Sequence, residues 1–123
     1  MKALSELMRE DARLTRAAFS RKYNIPVRTL EAWASGEREA PDYVMDLLGR
    51  AVYSDIMKGK AIFYIYVIAK HEEWLMHETD SYLKAIKEAK YNLDKIIGDG
   101  SVEIRIGTPR EDGALDNYDT VTF

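Results

Sequence analysis

Apolar residues recur with a helical period over residues 1–57 and with a period of two from Ala61 onward, so the pattern divides the chain into a helical part and a mixed part. Leu4, Leu7 and Met8 have helical spacing before Asp11. Thr15 is placed to cap a second helix, on which Ala18, Phe19 and Tyr23 form an apolar face while Arg16, Arg21 and Lys22 project elsewhere. Asn24 tolerates the left-handed conformation of a sharp turn, and Ile25 then drops an apolar side chain into the angle between two helices. Pro26 fixes φ and lacks an amide hydrogen, which costs nothing in a first helical turn. From there Leu30, Trp33 and Ala34 line the buried side of a third helix. Val27, Arg28, Thr29, Glu31, Ala32 and Ser35 fall on or near its outer side, and Gly36 ends it. Pro41 begins a fourth helix whose Val44, Leu47, Leu48 and Ala51 recur at i, i+3, i+4 and i+7 as its expected core stripe.

Lys58, Gly59 and Lys60 break the helical pattern, and the period then changes. Ile62, Tyr64, Tyr66 and Ile68 alternate with Phe63, Ile65, Val67 and Ala69 in a strand with two apolar faces. One face is expected to pack on a helix and the other to be covered or to form an interface. The chain turns at Lys70 to Glu73, and Trp74, Met76 and Glu78 alternate with Leu75 and His77 in a return strand. Thr79 or Asp80 caps a long helix with an apolar stripe of Tyr82, Ile86, Ala89, Leu93 and Ile96, ended by Gly98 and Gly100. Val102, Ile104 and Ile106 alternate with Glu103 and Arg105 as a third strand, and Tyr118 to Phe123 offers a short fourth. The predicted fold class is α+β. A four- to five-helix domain over 1–57 is followed by a linker at 58–60 and a ββαβ(β) sheet-plus-helix domain over 61–123, for dimerisation or partner binding.

Within the first part, TRAAFSRKYNIPVRTLEAWASG (residues 15–36) has the spacing of a DNA-binding helix-turn-helix. The stretch Leu14 to Leu48, with its NIPVRTLEAW and GEREAPDYVMDLL segments, resembles the phage-repressor-like helix-turn-helix domains found on mobile elements of Gram-positive bacteria. The resemblance covers about the first 55 residues. It implies that the second helix of the motif enters the major groove, with Val27, Arg28, Glu31 and Ala32 meeting base edges, and that Thr15 and Arg16 sit against phosphates. Arg21, Lys22, Thr29 and Arg38 complete the expected phosphate contacts.

Charge narrows this expectation to one face. Residues 1–50 carry 9 Lys+Arg against 8 Asp+Glu, and the whole chain has a net charge of −3. A general nucleic-acid coat protein is thereby disfavoured, whereas a specific binder with Arg13, Arg16, Arg21, Lys22 and Arg28 around its motif is not. One copy makes few phosphate contacts, so a homodimer on an inverted repeat of double-stranded DNA is expected. With no cysteine, disulfides, thiolate metal sites and cysteine nucleophiles are excluded. The longest apolar run, Ala61 to Ala69, contains two tyrosines, and the N-terminal MKALSELMRED is acidic and helical in pattern, so the expected compartment is the cytoplasm, with no membrane contact.

The second part carries no catalytic constellation. His77 and Glu78 fall on opposite faces of a strand, and the Gly98-Asp99-Gly100 turn follows a helix, which is the wrong context for a phosphate cradle. Glu111, Asp112, Asp116 and Asp119 lack EF-hand spacing. No enzyme activity, metal or cofactor is expected. Tyr64 and Tyr66, beside Trp74 or Met76 across the hairpin, have the composition of an interface core. Two functions follow. The first is a sequence-specific transcriptional regulator, a repressor or autoregulator of a phage or mobile element. The alternative is a protein-directed inhibitor, such as an anti-CRISPR protein or an antitoxin, that grips a host or toxin protein while its helix-turn-helix domain autoregulates its operon.

Overall fold

The protein is described by a computed structural model over residues 2–96, 98–109 and 115–122. Its architecture is α+β. Four helices, α1 (Leu4–Asp11), α2 (Arg16–Tyr23), α3 (Val27–Ser35) and α4 (Asp42–Met57), precede the hairpin β1 (Ile62–Ala69) and β2 (Glu72–Thr79). Helix α5 (Tyr82–Lys95) leads to a second hairpin, β3 (Ser101–Pro109) and β4 (Leu115–Thr122).

Short-range chemistry sets the helix ends. Thr15 Oγ1 accepts the Ala18 amide at 3.1 Å, and Asn24 stops α2 in the left-handed conformation, φ +55°. Gly36 closes α3 at φ +81°. Helix α4 buries Met45, Leu48, Gly49, Val52 and Tyr53, while Leu47 is 61% exposed and Ala51 faces solvent. The stripe expected on Leu47 and Ala51 is therefore rotated. The cause is Gly49: a Cβ there would lie 2.3 Å from Tyr82 Cγ, so α4 meets α5 along a line that a count of apolar side chains does not register.

Helix α5 is capped by Ser81, not by Thr79 or Asp80. Ser81 Oγ accepts the Lys84 amide, Thr79 Oγ1 accepts the Ser81 amide, and Asp46 of α4 accepts both Ser81 Oγ–H at 2.7 Å and the Leu83 amide at 3.0 Å. The helix stops at Lys95, with Ile96 already extended and short of the glycines.

The four strands lie in the order β2-β1-β3-β4 with every neighbouring pair antiparallel. Lys70 and His71 both take positive φ, 52° and 66°, in the two-residue turn between β1 and β2. Phe63, Ile65, Val102, Ile104 and Ile106 are buried in one core with Tyr82, Ala85, Ile86 and Ala89 of α5. A β-bulge interrupts β2: Ile65 pairs with His77, but Tyr66 pairs with Leu75, leaving Met76 between them. Strand β4 begins at Leu115, earlier than expected, and so contains Asp116 and Asp119, while Glu111, Asp112 and Phe123 lie outside the described residues.

The buried core is continuous from α1 to β3. Tyr53 stacks on Tyr82 with centroids 5.5 Å apart and meets Phe63 edge-on at 5.9 Å, and its hydroxyl is hydrogen-bonded to Asp11. At the expected linker, Lys58 caps α4 with φ +55°, the Gly59 amide donates to the Ser54 carbonyl, and the Ala61 amide donates to Ser54 Oγ. Among the described residues no helix is long and apolar enough to cross a membrane.

Candidate nucleic-acid interface

Helices α2 and α3 are joined by Asn24, Ile25 and Pro26, with the Ile25 amide donating to the Ser20 carbonyl. Ile25 packs against the core and fixes how α3 leaves α2. Because Pro26 is the N-cap and provides no side-chain hydrogen bond, the first two amides of α3, those of Val27 and Arg28, have no acceptor among the described residues. The positive end of the α3 dipole is therefore open, and Arg28 stands exposed in that first turn. Arg21, near the end of α2, is exposed and borders a shallow depression with Ser20, Asn24, Ile25 and Pro26.

The expected contact residues divide into two groups. Arg28, Arg21 and Arg38 are exposed and form no ion pair among the described residues. Val27 is 38% exposed, Glu31 is exposed and Thr29 is half-buried. Arg16 instead sets Nε 3.0 Å from Glu6 Oε1, and Lys22 lies 3.9 Å from Asp55. Thr15 is exposed, but its hydroxyl oxygen is engaged as the α2 cap. The hydrogen bond from Arg9 holds the Glu6 carboxyl below its ordinary value; burial opposes this and Arg16 reinforces it. Tyr23 donates its hydroxyl to Asp55 at 2.8 Å, and burial together with that carboxylate pushes the phenol up.

One expected base contact is misplaced. Ala32 is 5% exposed, contrary to the outer position assigned by periodicity. A single methyl group on a helix flank disappears beneath its longer neighbours, so angular position alone does not decide its exposure. Trp33 packs against the core but stays half-buried, as a wall of the cleft between α3 and α5.

On the sheet, the expected partner surface is split. Tyr64 and Tyr66 lie on the face away from α5, with Arg105 stacked 4.2 Å over the Tyr66 ring and bonded to Glu73 and Glu103. Trp74 pairs with Val67 and so lies on the opposite face from both tyrosines, while Leu75 stands beside Tyr66. The bulge at Met76 adds one residue and reverses the alternation beyond it. His77 and Glu78 pair with Ile65 and Tyr64 and therefore point to opposite faces.

No protein-family model, curated protein or solved structure matches the chain.

Proposed function

We propose that α2, its turn and α3 form a repressor-like DNA-binding helix-turn-helix, and that the protein is a non-enzymatic, sequence-specific transcriptional regulator. The observation that carries this reading is the start of α3: two unbonded amides, an exposed Arg28 and an exposed Arg21, neither arginine neutralised by an ion pair among the described residues. In the proposed complex Val27, Arg28 and Glu31 face base edges, and Arg21 and Arg38 meet phosphates. Arg16 and Lys22 would first have to leave Glu6 and Asp55. Two copies on an inverted repeat in the cytoplasm complete the reading, because one helix pair offers few phosphate contacts.

A protein-directed role draws on the sheet, whose face bearing Tyr64, Tyr66 and Leu75 lies away from α5. Tyr66→Glu separates the two roles, since it alters that face and leaves α3 intact. Selection from a random duplex library with the full chain tests the proposal. Enrichment of a two-fold symmetric sequence is expected, and a library returned without enrichment would overturn it.

A further inference from the structure

We propose that Glu6 is a built-in brake on DNA binding: it keeps Arg16 on α1, and so out of the phosphate contacts, even in the bound protein. The inference rests on the DNA-binding reading above and adds to it a residue outside the two motif helices. Arg16 opens α2, where a phosphate contact is expected of it. Its side chain instead crosses to α1, with Nε donating to Glu6 Oε1 at 3.0 Å. The receiving carboxylate is fixed from its other side. Arg9 donates to Glu6 Oε2 through Nη2 at 2.8 Å and through Nε at 3.2 Å. Arg9 Nη1 also donates to the Leu14 carbonyl at 2.9 Å, so one arginine pins both Glu6 and the connection from α1 to α2. The Glu6 side chain is 14% exposed, against 42% for Arg16. A carboxylate already ordered and partly desolvated gives up little further freedom in holding a partner, which sets this contact apart from an ordinary surface pair.

Competition then decides what Arg16 does. Glu6 is always within reach of it, whereas a duplex phosphate arrives from solution and has to displace the carboxylate. Arg21 and Arg28 meet no such competitor, since neither forms an ion pair among the described residues. The positive charge is thus presented at the start of α3 and masked at the start of α2. Phosphate contacts carry no sequence information, so masking Arg16 lowers affinity for every duplex and leaves the base readout of α3 unchanged.

The test titrates the full chain as wild type, Arg16→Gln, Glu6→Gln and the double variant. The probes are the duplex enriched by selection and its shuffled counterpart, each at two salt concentrations. Arg16→Gln should bind both duplexes as wild type does, with an unchanged salt slope. Glu6→Gln, which frees Arg16, should bind both more tightly by about two- to fivefold, the size of one exposed ion pair, with a slope steeper by about 1. The double variant should lose that gain, which separates the release of Arg16 from the mere removal of a negative charge near DNA. If Arg16→Gln weakens both duplexes and flattens the slope, Arg16 already sits on a phosphate in the wild-type complex, and the proposal is overturned whether or not Glu6→Gln folds. A Glu6→Gln protein with the wild-type circular dichroism spectrum that binds no tighter, or whose gain persists in the double variant, overturns the brake and leaves the DNA-binding reading standing. A wild type that binds neither duplex overturns both.

Discussion

The helical half is tied together by polar links between small helices, whereas the sheet half is closed by apolar side chains across a sheet and one helix. In the first, Glu6 joins Arg9 and Arg16, Tyr23 reaches Asp55 and Tyr53 reaches Asp11, around a modest core of Met8, Phe19 and Leu30. In the second, Phe63, Ile65, Val102, Ile104 and Ile106 meet Ala85, Ile86 and Ala89 in an apolar layer, with Asn92 a buried polar side chain on α5. The contrast teaches where rigidity comes from. The small helices that carry the proposed DNA face are steadied by α4, and α4 is in turn held by the sheet half through Tyr53, Tyr82 and Phe63. A change at that junction should be felt on both sides.

Phe63→Ala makes the severest test of this coupling. Phe63 is fully buried between Tyr53 and Tyr82, so its truncation should cost about 3–5 kcal/mol. Thermal unfolding followed by circular dichroism should show helix and sheet lost in one shifted transition; a helical signal that melts at the wild-type temperature would separate the halves. Next in size is Gly49→Ala. On an isolated helix this change is favourable by about 1 kcal/mol, but the new methyl would collide with the Tyr82 ring, so a loss of about 1–3 kcal/mol is expected. A stabilised Gly49→Ala protein would mean that α4 and α5 do not touch there.

The polar link across the junction should respond to pH. Burial raises the Asp46 carboxyl, but the Ser81 hydroxyl, the Leu83 amide and Arg50 outweigh it and hold the carboxyl below its ordinary value. Its stabilisation is therefore fully present above the unfolded value near 3.8 and is lost as pH falls through the lower folded value. Asp46→Ala should cost about 1 kcal/mol at neutral pH, as removal of a helix cap does. Its denaturant-melting profile should be flatter than wild type below pH 4, and parallel acid profiles would contradict the assignment. The smallest expected effect is confined to the sheet half. Replacing Lys70 and His71 by Asn and Gly relieves two positive-φ side chains and should raise stability by a few tenths to about 1 kcal/mol.

Local chemistry was readable in the sequence, and tertiary choices were not. Thr15 and Asn24 cap α2 as their side chains dictate, and the alternation of β1 puts Phe63 and Ile65 under the helix. Ser81 became the α5 cap partly through Asp46, 35 positions earlier, which no local pattern announces. Glycine carries no hydropathy signal, so the seat of Tyr82 on Gly49 was hidden, and with it the rotation of α4. The two-residue turn at Lys70 and His71, shorter than the expected turn over Lys70 to Glu73, sets Trp74 opposite Val67 and away from Tyr66. The β2 bulge, which leaves no mark on composition, shifts the partners of Ile65 and Tyr64. At the proposed DNA face, Arg28 and Glu31 stand exposed as periodicity predicts, while Ala32 is lost from view because side-chain length also decides exposure.

The central claim, that the start of α3 reads DNA, is tested most directly by titrating labelled duplexes with wild type, Arg28→Ala and Arg21→Ala. The duplexes are the sequence enriched by selection and its shuffled counterpart, each at two salt concentrations. Arg28→Ala should lose about 1–3 kcal/mol on the enriched duplex and little on the shuffled one, relaxing preference at one base position. Arg21→Ala should weaken both duplexes alike and reduce the salt slope by about 1. Equal binding of the two duplexes by the wild type, or an Arg28→Ala protein that discriminates as well as its parent, would contradict the account.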